Sequence, residues 1–335
     1  MKRIFALALA LIMALALVAC GGNTTTNNGG ASNGGNAGGD TGDGEALSCH
    51  ISLITMDQMD VHWVKLQAAA QATVDEYVAQ GYDVTMDWLA PEKKDNAQQI
   101  QMIETATNNG SDVIIIAVND STACNDAIQA AIDAGIKIVY VDSPSTIEGS
   151  ATFATDNFAA GKQAGEQMKV YLDEKGLTEG TIGIVSAQAG VQSCIDRVDG
   201  FISAFEGTGF TMGEVQYSDG DAVKAQEITN ALIQDGVIAV YGANDGATNG
   251  AGNAVKEANA NGADIICVGF DNSASNRALV NDGSLLAFMA QNPDVMGSEA
   301  VKAAIALMEG EDLGGKVVDT GVTTVTIDNV AEFED

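Results

Sequence analysis

Polar residues able to hold a hydroxylated ligand recur directly after short apolar runs in this sequence. Val139-Tyr140-Val141 leads into Asp142-Ser143-Pro144, Val240-Tyr241 into Gly242-Ala243-Asn244-Asp245, and Val268-Gly269-Phe270 into Asp271-Asn272. Met289-Ala290 leads into Gln291-Asn292-Pro293, and Arg197 falls in an Ala/Ile/Val-punctuated helical stretch. The first apolar run is followed by Asp60-Val61-His62-Trp63. Carboxylates and carboxamides form paired hydrogen bonds with vicinal hydroxyls, and an aromatic face packs on the C–H face of a sugar ring. Singly, each residue has a plainer explanation. Asp142 before a proline suits a turn, Asn244-Asp245 suits a helix cap, Arg197 a solvated helix face and Trp63 a core. Asp271 resists that explanation, because it follows an apolar strand end. Taken together, the set fits a polar, neutral ligand bearing several hydroxyls.

The elements that must position these residues alternate. Strands are expected at 49–54, 82–88, 112–118, 136–141, 181–186, 211–217, 237–241 and 264–270, with a last one near 322–327. Helices are expected near 60–80, 93–109, 122–134, 157–175, 193–206, 222–235, 247–261 and 293–309. Leu66, Ala70, Val74 and Val78 step by four along the first helix as one apolar stripe. Ile128, Ala131 and Ile132 do likewise before Gly135. Val113-Ile114-Ile115-Ile116 is apolar on both faces, as a central parallel strand covered by helices must be. The rhythm breaks at 149–152 and restarts where Asp156 or Asn157 can cap a new helix. This pattern predicts an α/β protein of two doubly wound parallel-sheet lobes. In such sheets ligands bind beyond the carboxyl ends of the strands, where the polar residues above lie.

The N-terminus predicts the compartment. Met1-Lys2-Arg3 precedes an apolar run, Ile4 to Val18, that ends at Leu17-Val18-Ala19-Cys20. A basic start and a short apolar stretch describe a signal segment, residues 1–19, rather than a membrane span. The last four residues resemble the bacterial lipobox, which implies cleavage before Cys20 and lipidation of its thiol. Residues 20–46 hold the lipid-bearing cysteine and a Gly/Asn/Thr-rich stretch without large apolar residues, expected to be a flexible tether. The long acidic tether points to a cell-surface location of the Gram-positive kind, outside the cytoplasm and held to the membrane by lipid alone. The formal net charge is −31, or −33 without Lys2 and Arg3, which opposes nucleic-acid binding. Cys49, Cys124 and Cys194 leave a disulfide open, Cys267 reads as a buried small apolar residue, and two histidines make a metal cluster improbable. No cofactor is expected.

The segments Val139-Tyr140-Val141-Asp142, Arg197-Val198-Asp199-Gly200-Phe201, Gly242-Ala243-Asn244-Asp245, Val268-Gly269-Phe270-Asp271 and Ala290-Gln291-Asn292-Pro293 occur in the order found in ribose-type periplasmic binding proteins. Over residues 48–328 the chain resembles a substrate-binding lipoprotein of a sugar ABC importer. The resemblance implies the type I fold, with three strand crossings between the lobes. Its N-terminal lobe would comprise 48–155 with 292–321, and its C-terminal lobe 156–291 with 322–335. It further implies that Asp142, Arg197, Asn244, Asp271 and Gln291 bind sugar hydroxyls. His62 and Trp63 take the place of the family's aromatic pair, and Asp60 that of an amide. Ser143 stands where ribose binders carry arginine, and Gly220 where they carry phenylalanine. A ring and a guanidinium lost while Trp63 is gained imply a reshaped pocket, for a hexose, another pentose or a related polyol. The implied partners are that monosaccharide and the permease subunits of an ABC transporter, with the binding protein itself a monomer.

A receptor resembling autoinducer-2 binding proteins is the alternative on the same fold, and retention of Arg197 and Gln291 favours the sugar. A repressor of the lactose-repressor type would need a helix-turn-helix and a basic surface. An enzyme is not expected, because no phosphate-binding glycine motif and no nucleophile–histidine arrangement is present.

Overall fold

The computed structural model describes residues 47–333. The expected leader, the Cys20 lipid site and the tether lie outside the described residues. The first sheet is built from β1 (Ser48–Ile54), β2 (Asp83–Leu89), β3 (Val113–Ile116), β4 (Lys137–Val141), β5 (Ala151–Ala154) and β11 (Lys316–Asp319). Its order is β11-β5-β4-β3-β1-β2 and every pairing is parallel. The second contains β6 (Glu179–Ser186), β7 (Gly209–Tyr217), β8 (Ala239–Gly242), β9 (Ile266–Phe270), β10 (Ala287–Gln291) and β12 (Val322–Val325). Its order is β12-β10-β9-β8-β6-β7, with β12 antiparallel to β10. An all-parallel sheet was expected there; the short β11–β12 connection through Gly321 forces the return strand to reverse.

Helices α1 (Val61–Ala79), α2 (Asn96–Asn108), α3 (Asn125–Asp133) and α9 (Pro293–Met308) flank the first sheet. Helices α4 (Asn157–Glu174), α5 (Gln192–Ser203), α6 (Ala222–Gln234), α7 (Asp245–Ala260) and α8 (Ala274–Asn281) belong to the second. The chain therefore passes between the halves three times, after β5, after β10 and between β11 and β12.

Alternation along the strands builds a core on each face. Val113 and Ile115 of β3 join the layer beneath α1 and α9, while Ile114 and Ile116 join the layer beneath α2 and α3. In the second half Ile182, Ile184, Tyr241 and Phe270 face α4 and α5, while Val185, Val240 and Cys267 face α6 and α7. All four cysteines of the described residues are buried and unpaired. Leu66, Ala70 and Val74 are buried, but Val78 is 49% exposed. A step of four residues turns 400°, so the stripe drifts about 40° per step and has left the core face by its fourth member.

Three helix pairs meet backbone to backbone through glycine. A Cβ on Gly161 of α4 would lie 2.0 Å from the Arg197 carbonyl of α5, and one on Gly200 of α5 would lie 2.0 Å from the Phe158 carbonyl of α4. Gly297 of α9 approaches the Leu66 carbonyl of α1 in the same way, at 2.2 Å, and Gly250 of α7 the Ala222 carbonyl of α6, at 2.3 Å. These crossings fix α1 and α5, the helices whose N-terminal turns face the cleft.

Candidate functional site

β4 and β9 end on the aspartates that carry the site. Asp142 has φ 55° and Asp271 has φ 74°, both in the left-handed region that favours glycine. At each turn the aspartate's own N–H continues the sheet, Asp142 donating to Phe153 O at 3.0 Å and Asp271 to Met289 O at 2.9 Å. Such backbone costs of order 1–2 kcal/mol for a residue with a Cβ, and strain of this kind gathers where a side chain must be aimed. Here it turns two buried carboxylates into the space between the halves.

Arg197 reaches the same space from α5. Its Nε donates to Asn157 Oδ1 at 2.7 Å, Nη1 donates to Ala243 O at 3.1 Å, and its guanidinium lies 4.4 Å above the Phe270 ring centroid. Nη2 is 3.5 Å from Asp142 Oδ2, and Nη1 is 4.0 Å from Asp271 Oδ2. One guanidinium thus sits between both aspartates, held in place by contacts that leave Nη2 without a hydrogen bond.

Asp60 caps α1 by accepting from the His62 N–H at 3.0 Å, which sets the first turn and points His62 and Trp63 inward. His62 Nε2 lies 3.3 Å from Asp142 Oδ2, close enough for charge attraction but at an angle short of a hydrogen bond. The His62 and Trp63 rings meet edge to face at 4.6 Å. Burial alone would lower the His62 pKa, yet the Asp142 carboxylate outweighs it and favours the imidazolium. Burial likewise would raise Asp142, but His62 and Arg197 beside it hold the carboxyl down at about 2.

Gln291, at the end of β10, donates through Nε2 to Asp271 Oδ1 at 2.6 Å and accepts from Thr155 Oγ1 at 3.0 Å. Asn244 occupies the N-cap position of α7 but makes no capping bond, and its buried Oδ1 has no partner. The plainer explanation of Asn244 as a cap therefore does not hold. Trp63 does join the core, and its buried Nε1 is also unpartnered.

These side chains line one cleft and are drawn together so closely that only about 30 Å³ of free space remains between them. Asp60, His62, Trp63, Asp142, Arg197, Asn244, Asp271 and Gln291 all contribute to it. Ser143 does not. Its Oγ turns away to accept from the Ser193 N–H at 3.4 Å, joining the end of β4 to the start of α5.

Two wall residues, Lys94 and Cys194, and the Asp57 carboxylate that holds Lys94 escaped the sequence reading. The Lys94 side chain is nine-tenths buried, donates to Asp57 at 3.0 Å and lies 3.7 Å from Asp60. Within Glu92-Lys93-Lys94-Asp95 it reads as one more solvated charge; only the approach of Gly220 from the other half, with a Cβ there 3.3 Å from Nζ, encloses it. Cys194 lines the cleft floor, where burial raises its thiol pKa. Asp57 accepts from the Met59 and Asp60 N–H groups, so its carboxylate shapes the entry to α1.

A buried cleft between two α/β halves, edged by strand ends and holding unpartnered donors and acceptors, has clear counterparts. The model of the periplasmic binding protein domain matches residues 51–312. The ribose import binding protein RbsB of Escherichia coli (strain K12) is 28% identical over 269 residues, spanning 79% of this chain and 87% of that protein. The structure of an ABC transporter solute binding protein from Agrobacterium vitis with bound D-fucose superposes with TM-score 0.76 at 29% identity, covering 84% of this chain and 96% of that one. A second from Agrobacterium vitis, bound with α-D-tagatopyranose, gives 0.77 at 26%, covering 85% and 99%. Matched along most of its length in sequence and in fold, the chain belongs to the periplasmic binding protein domain family, in its type I, two-sheet form.

Proposed function

We propose that this chain is an extracytoplasmic, lipid-anchored solute-binding protein that closes on one monosaccharide or related polyol and presents it to the permease of an ABC importer. One observation carries the reading. His62 Nε2, Trp63 Nε1, Arg197 Nη2 and Asn244 Oδ1 are buried, face a single cleft and have no hydrogen-bond partner. Such atoms are costly to leave unpaired, at about 1–3 kcal/mol each, and sugar hydroxyls supply both donors and acceptors for them. The bound D-fucose and α-D-tagatopyranose of the two Agrobacterium vitis proteins are monosaccharides. The domain division we propose follows the sheets, with 48–155 and 292–321 in one lobe and 156–291 with the segment from 322 in the other.

A thermal-shift screen of monosaccharides and polyols tests this reading. A cognate ligand at a hundred times its Kd is expected to add about 2.7 kcal/mol of apparent stability. The same ligand should reduce the radius of gyration, because contacts from both halves exist together only in the closed state. A panel without any thermal shift sinks the proposal, and an unchanged radius of gyration sinks the closure mechanism.

The rims show where closure can be obstructed. The Ser121 N–H donates to the Gly190 carbonyl at 3.0 Å across the cleft, and a Cβ on Gly190 would stand 2.0 Å from Asp120 Oδ2. Asp120 cannot easily yield, since its Oδ1 accepts from Thr122 N, Thr122 Oγ1 and Ala123 N. Gly190→Ala is therefore expected to weaken ligand binding by about tenfold, roughly 1.4 kcal/mol, while the ligand-free melting temperature stays within a degree or two. Calorimetry that returns wild-type affinity would show that the rims need not meet.

A further inference from the structure

The charges of the cleft are unequally distributed. Asp60 and Asp245 from the starts of α1 and α7 and Asp271 from the end of β9 line a second space, of about 520 Å³, adjoining the one that holds Asp142. The charged groups on its walls are Asp60, Asp245, Asp271 and Asp294 against Lys65, with His62 at the junction. The nearby cations are already engaged. Lys94 donates to Asp57 at 3.0 Å and lies 3.7 Å from Asp60, and Arg197 lies 3.5 Å from Asp142 and 4.0 Å from Asp271, so each cation is shared between two carboxylates. Asp245 meets neutral donors, Asn276 Nδ2 at 2.8 Å and the Ser273 side chain, and one oxygen of Asp60 is used to cap α1. Beside them the buried Asn244 Oδ1 is a further acceptor without a donor. Carboxylates therefore outnumber cations at this end of the cleft.

Carboxylates brought together away from water hold their protons more tightly. Burial, and then the Asp60 charge, push Asp245 up to about 7, with Asp271 adding to the effect and Lys94 opposing it. Asp60 is raised too, by burial first and by Asp271 and Asp57 against the pull of Lys94 and His62. A cation between them would remove that repulsion. It is not a metal ion, since among the described residues no group of three or more His, Cys, Asp or Glu side chains converges to hold one. An ammonium group carries its charge with three diverging N–H donors, which suits acceptors spread over both halves.

We propose that the ligand of this cleft carries a protonated amine as well as hydroxyls, an amino sugar or aminocyclitol whose ammonium lies among Asp60, Asp245 and Asp271 while its hydroxyls meet Asp142, Arg197 and Trp63. The inference rests on the carbohydrate reading and narrows it: residue types alone suggest a neutral ligand, and the excess of carboxylates over cations lining this end of the cleft adds the charge.

Matched pairs test it by calorimetry at pH 7. D-glucosamine is set against D-glucose, D-galactosamine against D-galactose, and an aminocyclitol against myo-inositol. In at least one pair the amine is expected to bind tenfold to a hundredfold tighter, as one charge-assisted hydrogen bond would give, and its N-acetyl derivative should lose that advantage. Asp245→Asn should narrow the amine-to-neutral ratio by about tenfold. Neutral members that bind as well as their amines, or better, overturn the inference and leave the carbohydrate reading intact. An amine preference unchanged in both Asp245→Asn and Asp60→Asn overturns the placement of the ammonium. If neither these pairs nor any neutral sugar or polyol binds, the carbohydrate reading falls with it.

Discussion

Replacing Asp142 by alanine is expected to weaken ligand binding tenfold to a hundredfold while the ligand-free protein remains folded. The carboxylate is 4% exposed, 3.3 Å from His62 and 3.5 Å from Arg197, in a space where charge-assisted hydrogen bonds are worth about 1.5–3 kcal/mol. Its loss also leaves two cationic groups facing each other across the cleft. Asp142→Gly is the informative companion. It removes the same carboxylate but relaxes a backbone held at φ 55°, so it should bind as poorly as the alanine variant and melt at a higher temperature. The pH profile supplies a second readout. The folded Asp142 carboxyl, at about 2, lies below its unfolded value of about 3.9, so its contribution is present above that value and is lost as pH falls towards 2. His62 is shifted upward, so its contribution is full below about 6.5 and is lost as pH rises through the folded value. Urea midpoints of the wild type should therefore exceed those of both variants most between about pH 4 and 6.5. Wild-type affinity in both variants would reduce Asp142 to a turn residue.

Gly200→Val is expected to destabilise the protein at the α4–α5 crossing by about 3 kcal/mol. A Cβ at Gly200 meets backbone on two sides, Phe158 O at 2.0 Å and Lys162 N at 2.9 Å, so rotamer adjustment cannot relieve the clash. The helices must separate, and Gly161, seated on the Arg197 carbonyl, moves with α4. Affinity should then fall together with stability, because the guanidinium is positioned through that crossing. Urea denaturation measures the first effect and calorimetry on the folded fraction the second. An unchanged urea midpoint would mean that the helices have room to part.

The periodic part of the fold was legible in the sequence, and the elements that escaped it explain why the rest was not. β5 is Ala-Thr-Phe-Ala, four residues after a Gly-Ser pair, and reads as a break in the rhythm. Only its position between β4 and β11 makes it a strand. β11 is a short edge strand with Val317 76% exposed, so no burial pattern marks it. α8 offers little more than Leu279 and Val280 as an apolar signal. The site was legible wherever it follows a strand end, as at Asp142, Asn244, Asp271 and Gln291. Lys94 was hidden because its enclosure comes from Gly220 in the other half of the molecule, which local sequence does not encode. Ser143 adjoins Asp142, but the left-handed backbone of Asp142 itself turns the chain there, and the Ser143 hydroxyl meets the Ser193 N–H instead of the cleft.

Three crossings have a practical consequence. The described chain opens in β1 of one sheet and makes its last strand, β12, in the other. Donor and acceptor fluorophores fused to the two ends would consequently ride on opposite jaws without interrupting either core. Energy transfer between them would then read ligand capture as a ratio of colours, in a sensor that requires no internal insertion.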